Sequence, residues 1–268
     1  MVRSMSLTAL LGCLLLPLVM SLTAVHTKLF NNVRDALGLK STDFAAKYDA
    51  ADFSKGGFEG CCEWWDEAKG SKLTGVSFNA IRNPASGFEL LTLNCWMGPA
   101  YNCPHMLLSI GTDPSISGSS IRADYLPRGP IPLGSDQTTM DMYFGADVVQ
   151  WYDSAVKASR GSFLPPSASF YGRLLRSPVE LAVHGLDEAS VAAIATEHVE
   201  RWISYVLDAQ QNEARSRGAI NTRDDKQRMF AYRAELSDAT SWVGADFGAS
   251  LAAARTGPVA EAYVGGGG

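Results

Sequence analysis

Pro104-His105-Met106-Leu107-Leu108-Ser109-Ile110, followed after a turn by Ser120-Ile121-Arg122-Ala123-Asp124-Tyr125-Leu126-Pro127-Arg128, is the stretch that decides the fold. Successive side chains of a strand point to opposite faces of its sheet, so His105, Leu107 and Ser109 share one face and Met106, Leu108 and Ile110 the other. Working outward, runs 72–83, 87–97, 105–112 and 119–126 all read as strands. Asn83-Pro84-Ala85-Ser86-Gly87, Gly98-Pro99, Asp113-Pro114 and Pro127-Arg128-Gly129-Pro130 punctuate them. Connections this short between consecutive strands favour an antiparallel meander. A fifth strand is predicted over 169–183, with Pro178 at an edge or bulge.

Helical patterns come later in the chain. Over 136–158, Met140, Phe144, Val148, Trp151 and Val156 fall on one stripe, with Ser135 as N-cap. Over 188–215, Val191, Ile194, Ala195, Val199, Trp202 and Val206 make an amphipathic face. A third helix is predicted over 223–237. Strands first and helices afterwards indicate an α+β layer structure in which helices cover an antiparallel sheet. No GxGxxG follows a strand and no GxxxxGK[ST] occurs, so no nucleotide loop is expected.

The chain has 268 residues, 46% hydrophobic and 19% charged, a globular composition with a net charge of -5. Nucleic-acid binding needs many Lys and Arg to neutralise phosphates, so none is expected. Five cysteines, Cys13, Cys61, Cys62, Cys95 and Cys103, include no CxxC pair and no His at zinc-ligand spacing, so no metal is assigned. Two disulfides or buried free thiols are the readings for the four after the leader.

Residues 1–25 carry one early charge, Arg3, and then an apolar core. They read as a signal peptide cut after Ala24, with a retained membrane anchor as the alternative. Residues 26–40 read as a polar transit extension, 41–250 as one domain, and 251–268 as a flexible tail.

Isolated polar groups in apolar settings are the candidates for chemistry. His105 either lines a pocket beside Ser109 or is a hydrogen-bonded residue at a strand end. Asp124 alternates with Arg122, which suggests a same-face ion pair; His184 and His198 read as structural. Asp238 lies where a charged helix gives way to Ala239-Thr240-Ser241-Trp242. Desolvation there would raise its pKa and let it donate a proton near neutral pH; capping the next turn is the other reading. Arg215, Arg217, Arg223, Lys226, Arg228 and Arg233 oppose only Asp224 and Asp225. This basic stretch suits a small acidic partner or a solvated helix face.

The strand pair 104–110 and 120–128 resembles the paired strands of red chlorophyll catabolite reductases, approximately PHLLMEF and LDLLPRKD, within the ferredoxin-dependent bilin reductase superfamily. The resemblance extends through Gly75-Val76-Ser77-Phe78-Asn79, Ser167-Ala168-Ser169-Phe170 and Arg223-Asp224-Asp225-Lys226, covering about 73–248. It implies a three-layer α/β/α sandwich with a central antiparallel sheet. It also implies an open-chain tetrapyrrole bound between sheet and C-terminal helices, with no bound redox cofactor.

By the same resemblance, electrons come from reduced ferredoxin, which the basic stretch would dock. Of the family's two proton-donating acids, one falls on Asp238 and the other on Ser109. Serine can hydrogen-bond a pigment but cannot replace a carboxylic acid as donor. His105, Ser109 and Asn79 would then line the substrate site. The family's plant members work in plastids, and a hydrophobic leader before a polar extension resembles the two-part address of plastids inside the secretory system. The competing reading keeps the fold without the chemistry, as a pigment-binding or structural subunit of a thylakoid photosynthetic complex.

Overall fold

The computed structural model describes residues 21–67, 72–128, 143–177 and 179–257, with backbone only at 214–216. Helix α1 (Leu22–Leu37) leads into β1 (Leu39–Ser41), a 3-10 turn (Ala45–Tyr48) and β2 (Phe53–Lys55). The meander β3 (Phe58–Glu67), β4 (Leu73–Asn83), β5 (Phe88–Met97), β6 (His105–Thr112) and β7 (Ser119–Leu126) follows. Then come α2 (Ala146–Ala158), α3 (Phe170–Leu175), β8 (Leu181–Leu186), α4 (Glu188–Asp208), α5 (Ala214–Val243) and α6 (Ala245–Thr256). The strands form one antiparallel sheet in the order β1-β3-β4-β5-β6-β7-β8, with β2 also paired to β3.

Helices cover both faces of this sheet, giving the three-layer α/β/α sandwich of α+β class. On one face α1, α2 and α4 bury Leu29, Val33, Trp151, Val199 and Trp202 against Leu93, Met106, Leu108, Ile110 and Ile121. On the other, α3, α5 and α6 bury Leu175, Ala231, Ala239 and Leu251 against Cys62, Trp64, Ile81, Trp96 and Leu107. The alternation read in β6 is therefore the alternation of the two cores. Trp64 shows how tightly the second layer closes: a Cβ on Gly75 would fall 2.3 Å from its ring, and one on Gly257, where φ is +87°, would fall 2.1 Å from it.

Several boundaries differ from the sequence reading. Residues 22–41 belong to the folded unit and are not an extension ahead of it. Ser21 caps α1 by accepting from Ala24 N at 3.3 Å, and Leu29 and Val33 are fully buried, each gaining roughly 1.5–3 kcal/mol. The expected tail start at 251 falls inside α6, whose Leu251, Ala252 and Ala254 are fully buried. Residues 1–20 and 258–268 lie outside the described residues, as do Ser135, Met140 and Pro178; the expected helix over 136–158 is seen from Ala146.

The strand predicted over 169–183 is instead a helix followed by a strand. Ser169 Oγ accepts from Gly172 N at 3.4 Å and nucleates α3, and only Leu181–Leu186 pairs with β7. Short apolar runs do not distinguish the two states. Helix α4 stops at Asp208 because the following residues pair with the loop between β5 and β6: Asn102 N donates to Gln210 O at 2.9 Å and Asn212 N to Ala100 O at 2.8 Å. The third helix is longer than expected, spanning Ala214–Val243.

A buried charge network fastens α5 to the sheet. Arg128, just after β7, donates from Nε to Asp224 Oδ1 at 3.0 Å and from Nη2 to Oδ2 at 2.5 Å. Its remaining N–H groups reach the carbonyls of Gly98, Tyr101 and Cys103. Burial works against charge on Asp224, but His105 and Arg128 outweigh it and hold the carboxyl below its ordinary range. Removing one member of such a pair strands the other. Asp224→Ala is therefore expected to cost about 3–5 kcal/mol in urea unfolding; a midpoint equal to wild type would refute the assignment.

Candidate functional site

The sheet's two faces differ in chemistry. The face under α1 and α4 is apolar, whereas the face under α5 and α6 carries a polar ribbon set by strand register. Cys62, Asn79, Thr92, Ser109 and Arg122 are consecutive cross-strand partners across β3 to β7. The adjacent row is Trp64, Ser77, Asn94, Leu107 and Asp124. Asn79 donates from Nδ2 to Ser77 Oγ at 2.6 Å and to Thr92 Oγ1 at 3.1 Å, yet its buried Oδ1 receives no donor. Ser109 is half-buried and lines a hollow of about 160 Å³ with Leu90, Gly111, Ser120, Arg122 and Leu164.

Across this layer stands Asp238, on α5. Its side chain is open to water, so the protein crowds the carboxyl without sealing it. This partial desolvation, reinforced by Glu235, lifts it from 3.8 to about 6 against the pull of Arg255, Arg176 and Arg122. Glu235 Oε2 meets Arg255 Nη1 at 2.5 Å, and the Arg255 guanidinium lies 5.5 Å from the Trp242 ring. Arg122 connects the two walls, since it is the cross-strand partner of Ser109 and its charge reaches Asp238.

His105 is placed differently from the expected pocket lining. It is fully buried at the end of β6, and its Nδ1 accepts from Met97 N at 2.9 Å, so the proton sits on Nε2, facing Asp224 Oδ1 at 3.3 Å. Burial pushes its pKa down to about 4, which keeps it neutral. It positions α5 and leaves no surface for a ligand, as the strand-end reading had it. Asn79 and Ser109 share the ribbon; His105 belongs to the anchoring network.

The basic stretch on α5 also differs from a docking face. Arg228 is buried and pairs with Asp225 at 3.0 Å, Arg223 donates to the Arg128 carbonyl, and Arg217 donates to Asn212 O at 3.2 Å. Arg223 ties α5 to the residue after β7, whereas Arg228 and Arg217 are taken up by groups within or just before the helix, and of the expected docking residues with described side chains only Lys226 is exposed. The Arg215 side chain lies outside the described residues. Arg122 and Asp124 share a face as expected but do not pair. Arg122 holds Glu180 at 3.1 Å and Pro165 O at 2.5 Å, while Asp124 accepts from Ser177 N at 2.8 Å and Ser177 Oγ at 2.5 Å.

His198 is a core residue of the opposite face, stacked between Tyr125 and Trp151. Cys62, Cys95 and Cys103 are buried free thiols and Cys61 is half-buried. No group of three or more His, Cys, Asp or Glu among the described residues is disposed to hold a metal.

Sequence reasoning missed the unpaired polar atoms of the layer between this face of the sheet and its helices. Buried polar atoms without partners collect in this one layer: Asn79 Oδ1, Trp96 Nε1, Gln227 Oε1, Arg228 Nε and Nη1, and Arg255 Nε. Among the described residues the helical layer on the opposite face has such atoms only on His198 and Arg201. Unmet donors and acceptors are costly in a closed interior and mark where a polar ligand or water belongs. No local pattern around Arg255 or Trp96 signals this, because it arises from which faces oppose.

Raising the Asp238 pKa means that the folded protein holds this proton more tightly than the unfolded chain. Its stabilising contribution is complete below 3.8 and lost as pH rises through about 6. Carboxyl-carbon NMR should therefore show Asp238 titrating near 6, and the Tm gain of Asp238→Asn relative to wild type should be absent below 3.8, grow as pH rises from there, and level off above about 6. Titration at the ordinary value would overturn this reading.

No protein-family model matches the chain, and no curated protein matches it. Among solved structures it is similar to phytochromobilin synthase from tomato, solved in complex with biliverdin. The TM-score is 0.70 at 12% identity, covering 89% of this chain and 83% of that one. At this identity the likeness establishes a shared fold.

Proposed function

We propose that the chain binds an open-chain tetrapyrrole between the sheet and helices α5 and α6, and reduces it with electrons from reduced ferredoxin. The observation that carries this reading is the collection of unpaired buried donors and acceptors in that layer, one of which, Asn79 Oδ1, lies on the ribbon of Asn79, Thr92 and Ser109. A linear tetrapyrrole is flat and apolar along its edges, with N–H groups and lactam carbonyls that such atoms can meet. The fold shared with a protein solved with biliverdin supports the choice of pigment, red chlorophyll catabolite or a bilin.

Saturating one carbon-carbon double bond takes two electrons, one from each of two ferredoxins, and two protons. Asp238 is suited to deliver one proton because its carboxyl, lifted to about 6, is still partly protonated near neutral pH and remains in contact with water for reloading. The second proton comes from solvent, with Ser109 able to pass it along a hydrogen bond but not to supply it. A plastid setting, reached through the apolar leader, fits the supply of ferredoxin.

A second reading is favoured by one residue. Ser109 stands where the resembled family has an acid, so a pigment-binding subunit of a thylakoid complex would need nothing more than the site described. Anaerobic incubation with reduced ferredoxin and either red chlorophyll catabolite or biliverdin, followed by absorbance, separates the two. Reduction is expected, and Asp238→Asn should lower the rate about 100-fold or more with pigment affinity retained. Tight binding with no spectral change under reduction would establish the binder instead, and no binding of either pigment would overturn both.

A further inference from the structure

The outer surface along the β8 edge has a composition of its own. Phe163, Phe170, Tyr171, Leu174 and Val179 are exposed by 51%, 62%, 36%, 49% and 39%, and they are five of the seven large apolar side chains exposed among the described residues. Residues 157–179 also contain Lys157, Arg160, Arg173 and Arg176 and no Asp or Glu, within a chain of net charge -5; Arg176 is paired with the next residue after the stretch, Glu180, at 3.2 Å, which leaves three cations. Exposed apolar groups carried on one segment with cations suit a partner that is apolar and anionic together.

The segment is held as a strap around the β8 edge of the sheet. His184 N donates to Ser162 O at 2.9 Å and Leu164 N to Ala182 O at 3.0 Å, which covers that edge. Arg122 then binds both Pro165 O and Glu180, drawing together the residues on either side of α3. Helix α3, between them, buries Gly172 and Leu175 against the body while Phe170, Arg173 and Leu174 face out.

We propose that the strap of residues 157–179 is a docking surface for an anionic lipid bilayer. Phe170, Tyr171 and Leu174 enter the headgroup boundary, and Lys157, Arg160 and Arg173 contact lipid phosphates with their aliphatic stems along the apolar layer. A second copy of the chain is disfavoured as occupant, because a two-fold contact would set Lys157, Arg160 and Arg173 against their own copies, Arg176 being paired with Glu180 at 3.2 Å.

The test places a reporter on the strap itself, so that membrane affinity of the leader does not count as support. Full-length protein carrying Phe170→Trp is mixed with vesicles of phosphatidylglycerol or phosphatidylcholine, with the unsubstituted protein as spectral baseline. The added indole should shift to the blue and be quenched by brominated phosphatidylglycerol, with little response to phosphatidylcholine. Arg160→Gln and Arg173→Gln in that background should each weaken binding about fivefold at physiological salt. Circular dichroism on each variant verifies the fold. An indole unchanged by phosphatidylglycerol vesicles at low salt, or one that shifts only with an acidic protein, would overturn the proposal. Pigment binding by the same variants stays intact whichever way this falls, so the two readings fail separately.

Discussion

The bidentate contact between Arg128 and Asp224 is the constraint on which the rest of this structure depends. A carboxylate and a guanidinium buried together cost several kcal/mol to desolvate, and that cost is offset only when every hydrogen-bonding position is used. Here it is nearly so: Arg128 also gathers three loop carbonyls, and Asp224 meets the Nε2 of a histidine locked by the Met97 N–H. The result fixes the axial position of a 30-residue helix against the sheet. Asp238 lies about four turns further along the same helix, so its placement opposite the ribbon is inherited from this distant anchor.

The two layers flanking the sheet are built on opposite principles. Under α1 and α4 the packing is apolar, and even its histidines are neutral: burial pushes the pKa of His26 to about 4 and that of His198 to about 3. Under α5 and α6 the apolar clusters sit at the ends, around Trp64 and Trp96 on one side and Phe53 and Phe247 on the other, with polar groups between. A layer of that kind gives up some stability of its own for the capacity to accept something polar. Rigidity on one side and incompleteness on the other are what a binding scaffold requires.

The meander was legible because its strands are long, alternate cleanly and are separated by Pro and Gly turns; the bounds read for β6 and β7 coincide with those observed. The α5 register was not legible, because the cations at 223 and 228 point inward for reasons that lie on β7 and in the loop after β5. Charge runs read alone default to solvent, and only tertiary contacts reveal a buried network. The ambiguity at 169–183 was similarly local: one serine cap turned an apolar run into α3. Of the site, the row of Asn79 and Ser109 follows from strand alternation, whereas Arg122, Arg255 and Glu235 enter only once two distant segments are brought face to face.

Ser21 and Leu22 open α1, and this decides which bonds near the start of the fold a protease can reach. In the folded protein the bond after Ala24 lies in the first turn of a docked helix, with Leu22 and Val25 buried on either side of it. A peptidase needs several residues in extended form across its cleft, which a packed helix does not offer. That bond is thus open to a protease in the unfolded chain and closed once α1 has seated.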